Sequence, residues 1–133
     1  MKRIYEQAIK NHFDNYNQMM FLMGPRQCGK TTIAKHIQTF YPESLYINYD
    51  NIRDRQMILK GQHFIEGIFP LNQVREQKPL VIFDEIHKYK DFKNYLKGFY
   101  DHYKDFCHIL VTGSHRLDIY TSSGDSLMGR YFL

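Results

Sequence analysis

A chain of 133 residues, 43% hydrophobic and 16% aromatic with no low-complexity stretch, has the make-up of one folded domain over residues 1–133 and excludes a disordered segment. Its 18 basic and 14 acidic side chains leave a formal charge of +4. The charges alternate, as in Lys88-Tyr89-Lys90-Asp91, so the balance suits a polyphosphate ligand but builds no basic face for nucleic acid. Cys28 and Cys107 lie far apart without a CxxC pair, and the start has no apolar leader, which argues against a disulfide framework, a zinc cluster and a membrane span and predicts a cytoplasmic protein.

Ile4, Tyr5, Ala8, Ile9, His12 and Phe13 recur at helical spacing and predict an opening amphipathic helix. Residues 19–23 are the first of four short apolar runs, followed by 45–49, 80–83 and 108–111. Each is apolar at both alternating sets of positions, the condition of strands buried on two faces in a parallel sheet covered by helices. Ile33, Ala34, Ile37 and Phe40 mark a helix after the first run, and Phe92, Tyr95, Leu96, Phe99, Tyr100 and Tyr103 mark another behind an Asp91 N-cap. In the less patterned stretch 51–78 the expectation is one helix near 52–59 and a loop around Pro70. Strand and helix therefore alternate, and the class is α/β. Tyr131-Phe132-Leu133 reads as the first half of a further buried strand, which predicts truncation before or within a fifth strand and a protein that continues past Leu133.

Gly24-Pro25-Arg26-Gln27-Cys28-Gly29-Lys30-Thr31 matches GxxxxGK[ST] at every fixed position, directly after a predicted strand and before a predicted helix. In such a loop the glycines let backbone N–H groups curl around phosphates, and the helix that follows points its positive end at the same anion. Lys30 is placed to reach the β- and γ-phosphates, Thr31 to offer its hydroxyl to Mg²⁺, and Thr32 to touch the α-phosphate. Pro25, Arg26, Gln27 and Cys28 line the loop at its free positions, where Arg26 and Cys28 have no catalytic role.

Leu80-Val81-Ile82-Phe83-Asp84-Glu85 is a four-residue apolar run ending in two acids, the pattern of a Walker B strand. A buried strand delivers Asp84 to the sheet edge, where its carboxylate holds Mg²⁺ through water, and the adjacent Glu85 orients or deprotonates the attacking water. A water-activating acid argues for ATP hydrolysis over phosphoryl transfer to a small molecule, and no NKxD-like guanine reader is present. The fourth run ends in Thr112-Gly113-Ser114, where Thr112 and Ser114 are candidates to sense the γ-phosphate or the lytic water. Arg130 is either a finger for a neighbouring subunit's nucleotide or a surface arginine. Seven histidines without paired ligand spacing argue against a metal role for His87, the aromatic series 92–103 is core by its periodicity, and Asp50 is a candidate to position the loop around the site.

Taken together, GPRQCGKTT, LVIFDEIHKYKDFKNYLKGFYD and ILVTGSHRLDIYTSSGDSLMGR resemble the N-terminal AAA domain of a broad prokaryotic family of ATP-binding proteins in which a further C-terminal domain follows. The resemblance runs from about residue 19 to 133 and implies a P-loop NTPase three-layer α/β/α sandwich of AAA+ type, with a mainly parallel sheet in the order 5-1-4-3-2. It implies that Lys30, Glu85, Ser114 and Arg130 are catalytic, that Thr31 and Asp84 hold Mg²⁺, and that ATP is the ligand. Cys28 stands where that family usually has Val, and His115-Arg116 where small serines are common. Two functions follow: a Mg-dependent ATPase that drives or switches an attached C-terminal domain, or a nucleotide-gated binding module with little hydrolysis. The expected partners are ATP, a second copy of the chain where Arg130 acts in trans, and a protein or DNA engaged through the C-terminal part. No membrane partner is expected.

Overall fold

Strands that are apolar on both sides must be covered on both sides, and the computed structural model, which describes residues 7, 11, 13, 19–23, 30–70, 75–113 and 131–132, arranges the chain in that way. The elements run β1 (Met19–Met23), α1 (Lys30–Gln38), β2 (Ser44–Asn48), α2 (Ile52–Leu59), α3 (Phe64–Ile68), β3 (Leu80–Asp84), a 3-10 turn (Ile86–Lys88), α4 (Phe92–Tyr103), β4 (His108–Gly113) and β5 (Tyr131–Phe132). Across the sheet the order is β2-β3-β4-β1-β5, with every neighbouring pair parallel. Counted from the β5 edge this is 5-1-4-3-2, the order implied by the resemblance.

The two-residue alternation of each strand divides the core into two layers. Met19, Phe21, Ile47, Val81, Phe83, Ile109 and Val111 face α2, α3 and α4, meeting Ile58, Ile65, Leu96 and Phe99. Met20, Leu80, Ile82 and Leu110 face the other way and meet Ile33, Ala34 and Ile37 of α1 together with Phe13. Gln7, Asn11 and Phe13 are helical, in keeping with the expected opening helix, and Gln7 donates to Asn11 one turn on at 3.0 Å.

Local structure departs from the sequence expectation in a few places. β2 starts and ends one residue earlier than the apolar run, because Tyr49 leaves the ladder although its N–H still donates to the Asp84 carbonyl. The short helix α3 was not expected, and Phe40 falls in the turn behind α1. Asp91 stands at the N-cap of α4 but its side chain makes no capping bond, accepting instead from the Asn94 amide at 3.0 Å. Among the described residues no helix is long and apolar enough to cross a membrane.

Candidate functional site

In a parallel sheet the carboxyl ends of all strands lie on one edge, and ligands bind in the crevice outside it. That edge collects the predicted chemistry. Asp84 closes β3 opposite Thr112 of β4 and Asn48 of β2, and Met23, the last residue of β1, is in register with Gly113. β1 therefore ends at this edge, and the next described element, α1, begins at Lys30. Residues 24–29, which carry Gly24, Pro25, Arg26, Gln27, Cys28 and Gly29, lie outside the described residues, as do Ser114 and Arg130. Lys30 and Thr31 open α1, and Thr32 is exposed in its first turn.

Asp84 is 4% exposed and Glu85 6%, although both are carboxylates. Burial of that degree is unfavourable without hydrogen bonds and countercharge. The Asp84 carboxylate takes one hydroxyl on each oxygen: Thr112 Oγ1 donates to Oδ1 at 2.8 Å, and the Tyr46 hydroxyl donates to Oδ2. Both donors come from flanking strands, β4 and β2, and both are neutral. Thr112, expected as a sensor, is fully buried and spends its hydroxyl on Asp84.

Glu85 has φ 59 and ψ 27, in the left-handed region that a non-glycine residue enters only when its surroundings hold it there. Here its N–H donates to the Thr112 carbonyl at 2.9 Å and its carbonyl accepts from Lys88 N at 3.2 Å. The reversal breaks the strand alternation and turns the side chain toward the start of the 3-10 turn. There Glu85 Oε2 lies 3.5 Å from His87 Nε2 and 3.7 Å from Lys88 Nζ. Lys88 also binds both carboxylate oxygens of Asp50, at 2.8 and 2.9 Å, so the role of Asp50 in this geometry is to hold Lys88.

Sequence reasoning missed Tyr46 and Lys88. Lys88 was legible as the i+3 neighbour of Glu85. Tyr46 has the parity that puts it on the Asp84 side of the sheet, but only the adjacency of β2 and β3 brings the two together.

The donor set has a definite chemistry. Among the described residues the partners of the buried Asp84 carboxylate are two uncharged hydroxyls, which leave its charge unneutralised and further lone pairs open. Hard oxygen donors of this kind fit Mg²⁺, which takes one or two carboxylates and completes its shell with water and phosphate oxygens. No group of three or more His, Cys, Asp or Glu able to hold a metal occurs among the described residues, so a cation here would depend on a phosphate ligand for the rest of its shell.

Residues 16–133 match the family described as "AAA domain". No curated protein matches the chain. Among solved structures the chain is similar to PCH-2 from C. elegans, with 21% identity and a TM-score of 0.62 over 98% of this chain and 38% of that one. It is also similar to the P-loop NTPase domain of the sigma-54 transport activator from E. coli, with 13% identity and a TM-score of 0.53 over 98% of this chain and 97% of that one. The fold is therefore the α/β fold of P-loop NTPases. The chain spans little more than a third of the length of the C. elegans protein.

Proposed function

The chain belongs to the AAA-domain family, and on that premise we propose that it binds ATP with Mg²⁺ and hydrolyses it, in a cycle that drives or switches an attached domain. Membership of the family supports nucleotide binding in general; the assignment of hydrolysis rests on one observation, the buried pair Asp84 and Glu85 at the carboxyl edge of the sheet. In this reading the backbone N–H groups of residues 24–29 and the N-terminus of α1 cradle the phosphates, and Lys30 neutralises charge on the β- and γ-phosphates. Thr31 and Asp84 hold Mg²⁺, which when bound withdraws charge from the phosphate oxygens. Glu85 takes a proton from the water that attacks the γ-phosphorus, while the bond from that phosphorus to the β,γ-bridging oxygen breaks and ADP leaves with the freed electron pair. Ser114 senses that phosphate, and Arg130 serves the site of a second copy. Residues 1–133 belong to one ATPase domain acting in the cytoplasm, and a protein or DNA partner is engaged through the attached part.

The test is ATP binding and turnover with Mg²⁺ in the wild type, Lys30→Ala and Glu85→Gln. The expected outcome is loss of binding in Lys30→Ala and retained binding with turnover lowered about a hundredfold or more in Glu85→Gln, the scale of losing a general base. Failure of the wild type to bind ATP would sink the reading.

One observation favours the second reading, a nucleotide-gated module with little hydrolysis. Lys88 Nζ and His87 Nε2 both approach the same Glu85 oxygen, Oε2, and so compete with an attacking water for it. That reading predicts wild-type binding with negligible turnover, unchanged by Glu85→Gln.

A further inference from the structure

Tyr46 lies in register with Ile82 on β2, two residues short of the strand position that faces Asp84. By parity it is on the α1 side of the sheet, the side of Leu80, Ile82 and Asp84, and it is packed against that half of the core. Its hydroxyl reaches diagonally across the β2 and β3 pair and donates to Asp84 Oδ2, while Thr112 holds Oδ1 from the other side. A carboxylate bonded on each oxygen from a different neighbouring strand has no freedom to rotate about its last bond. Both bonds come from neutral donors, which add no countercharge of their own. An arginine or lysine at position 46 would orient Asp84 equally well but would also neutralise it.

The ring of Tyr46 carries a further contact. The Lys35 ammonium of α1 lies 5.7 Å from its centroid. A cation over an aromatic face is attracted by the ring's π electrons and draws density from them, which makes the phenol a stronger hydrogen-bond donor. Lys35 belongs to the helix that begins at Lys30, so the chain Lys35, Tyr46, Asp84, Thr112 links that helix to three adjacent strands.

We propose that Tyr46 is a positioning residue for the metal-holding carboxylate: it fixes Asp84 in the orientation that presents its free lone pairs to Mg²⁺, with Lys35 strengthening the bond. The inference rests on the assignment of Asp84 to Mg²⁺ made above. Partners that orient a ligating group commonly change metal affinity about tenfold or more when removed, and Tyr46→Phe deletes the one oxygen concerned.

The test measures binding of a fluorescent ATP analogue to the full chain, in EDTA and across a Mg²⁺ titration, for the wild type, Tyr46→Phe, Asp84→Asn and the double variant. Tyr46→Phe is expected to leave affinity in EDTA within about twofold of the wild type and to raise the Mg²⁺ concentration at half-effect by about tenfold. In the Asp84→Asn background the same change should do nothing further. A Mg²⁺ midpoint for Tyr46→Phe within about twofold of the wild type overturns the proposal, given the tenfold scale of the expected effect. Should Tyr46→Phe not fold, Lys35→Met at the helix surface decides instead, with a shift in the same direction expected and an unchanged midpoint overturning it. Loss of any Mg²⁺ response in the wild type, or its survival in Asp84→Asn, would overturn the assignment of Asp84 itself, an outcome separate from failure of Tyr46 alone.

Discussion

At the level of single residues, chemistry carried by neighbours in the chain was legible and chemistry carried across it was not. Asp84 and Glu85 are adjacent and end an apolar run, so their pattern is complete within six positions. Tyr46 and Asp84 are 38 residues apart, and nothing local marks them as partners. The same holds for Glu66, whose Oε2 accepts from the Tyr103 hydroxyl at 2.6 Å across 37 residues and lies 3.1 Å from His63 Nδ1. The Tyr103 hydrogen bond, then that of His63, and the positive fields of His63 and His102 hold the Glu66 carboxyl below its ordinary 4.5. A folded value below the unfolded one means that the contribution to stability is present above 4.5 and is lost as pH falls through the lowered value. Thermal unfolding of the wild type and Glu66→Gln should therefore differ at neutral pH and converge in acid well below that point. Equal melting temperatures at neutral pH would show that Glu66 adds nothing to stability. Burial pushes the Cys107 thiol up to about 12, which keeps it a protonated core group.

Among the helices, α1 and α4 were readable because their apolar positions recur at helical spacing, Ile33, Ala34 and Ile37 in the one and Phe92, Tyr95, Leu96, Phe99, Tyr100 and Tyr103 in the other. Helix α3, with five residues and Gly67 among them, is too short to show a period. Start signals need the same care. Asn51 and Asp91 are both good N-cap residue types, yet only one of them caps. Asn51 Oδ1 accepts from Arg53 N at 2.9 Å and Asp54 N at 3.2 Å. The side chain of Asp91 makes no such bond. Chemical denaturation of Asn51→Ala should show a loss of about 1 kcal/mol, with Asp91→Ala within a few tenths of the wild type. Comparable losses in the two variants would contradict the capping geometry.

For the molecule as a whole, the class followed from runs apolar on both alternating sets of positions, whereas strand order is invisible to periodicity and came only from the resemblance to a family. Phe99 shows how the layers depend on one another. It is fully buried, with Phe83 of β3 edge-on at 5.0 Å and Phe64 of α3 stacked at 6.1 Å, so it ties the sheet to two helices. Phe99→Ala should cost about 3 to 5 kcal/mol in equilibrium unfolding, and a loss under about 1 kcal/mol would mean that the cavity collapses without penalty. The strand order also bears on the chain as it is made. Of the described strands β1 is made first, yet its neighbours are β4 and β5: Met20 is in register with Leu110 and with Phe132. β2 and β3, and then β4, can assemble in the order of synthesis, but β1 must wait with Met19, Met20 and Phe21 unsheltered until β4 and β5 have emerged. Such a nascent chain is the kind that chaperones bind and that aggregates when translation stalls, and the described sheet closes only when β1 is threaded between β4 and β5.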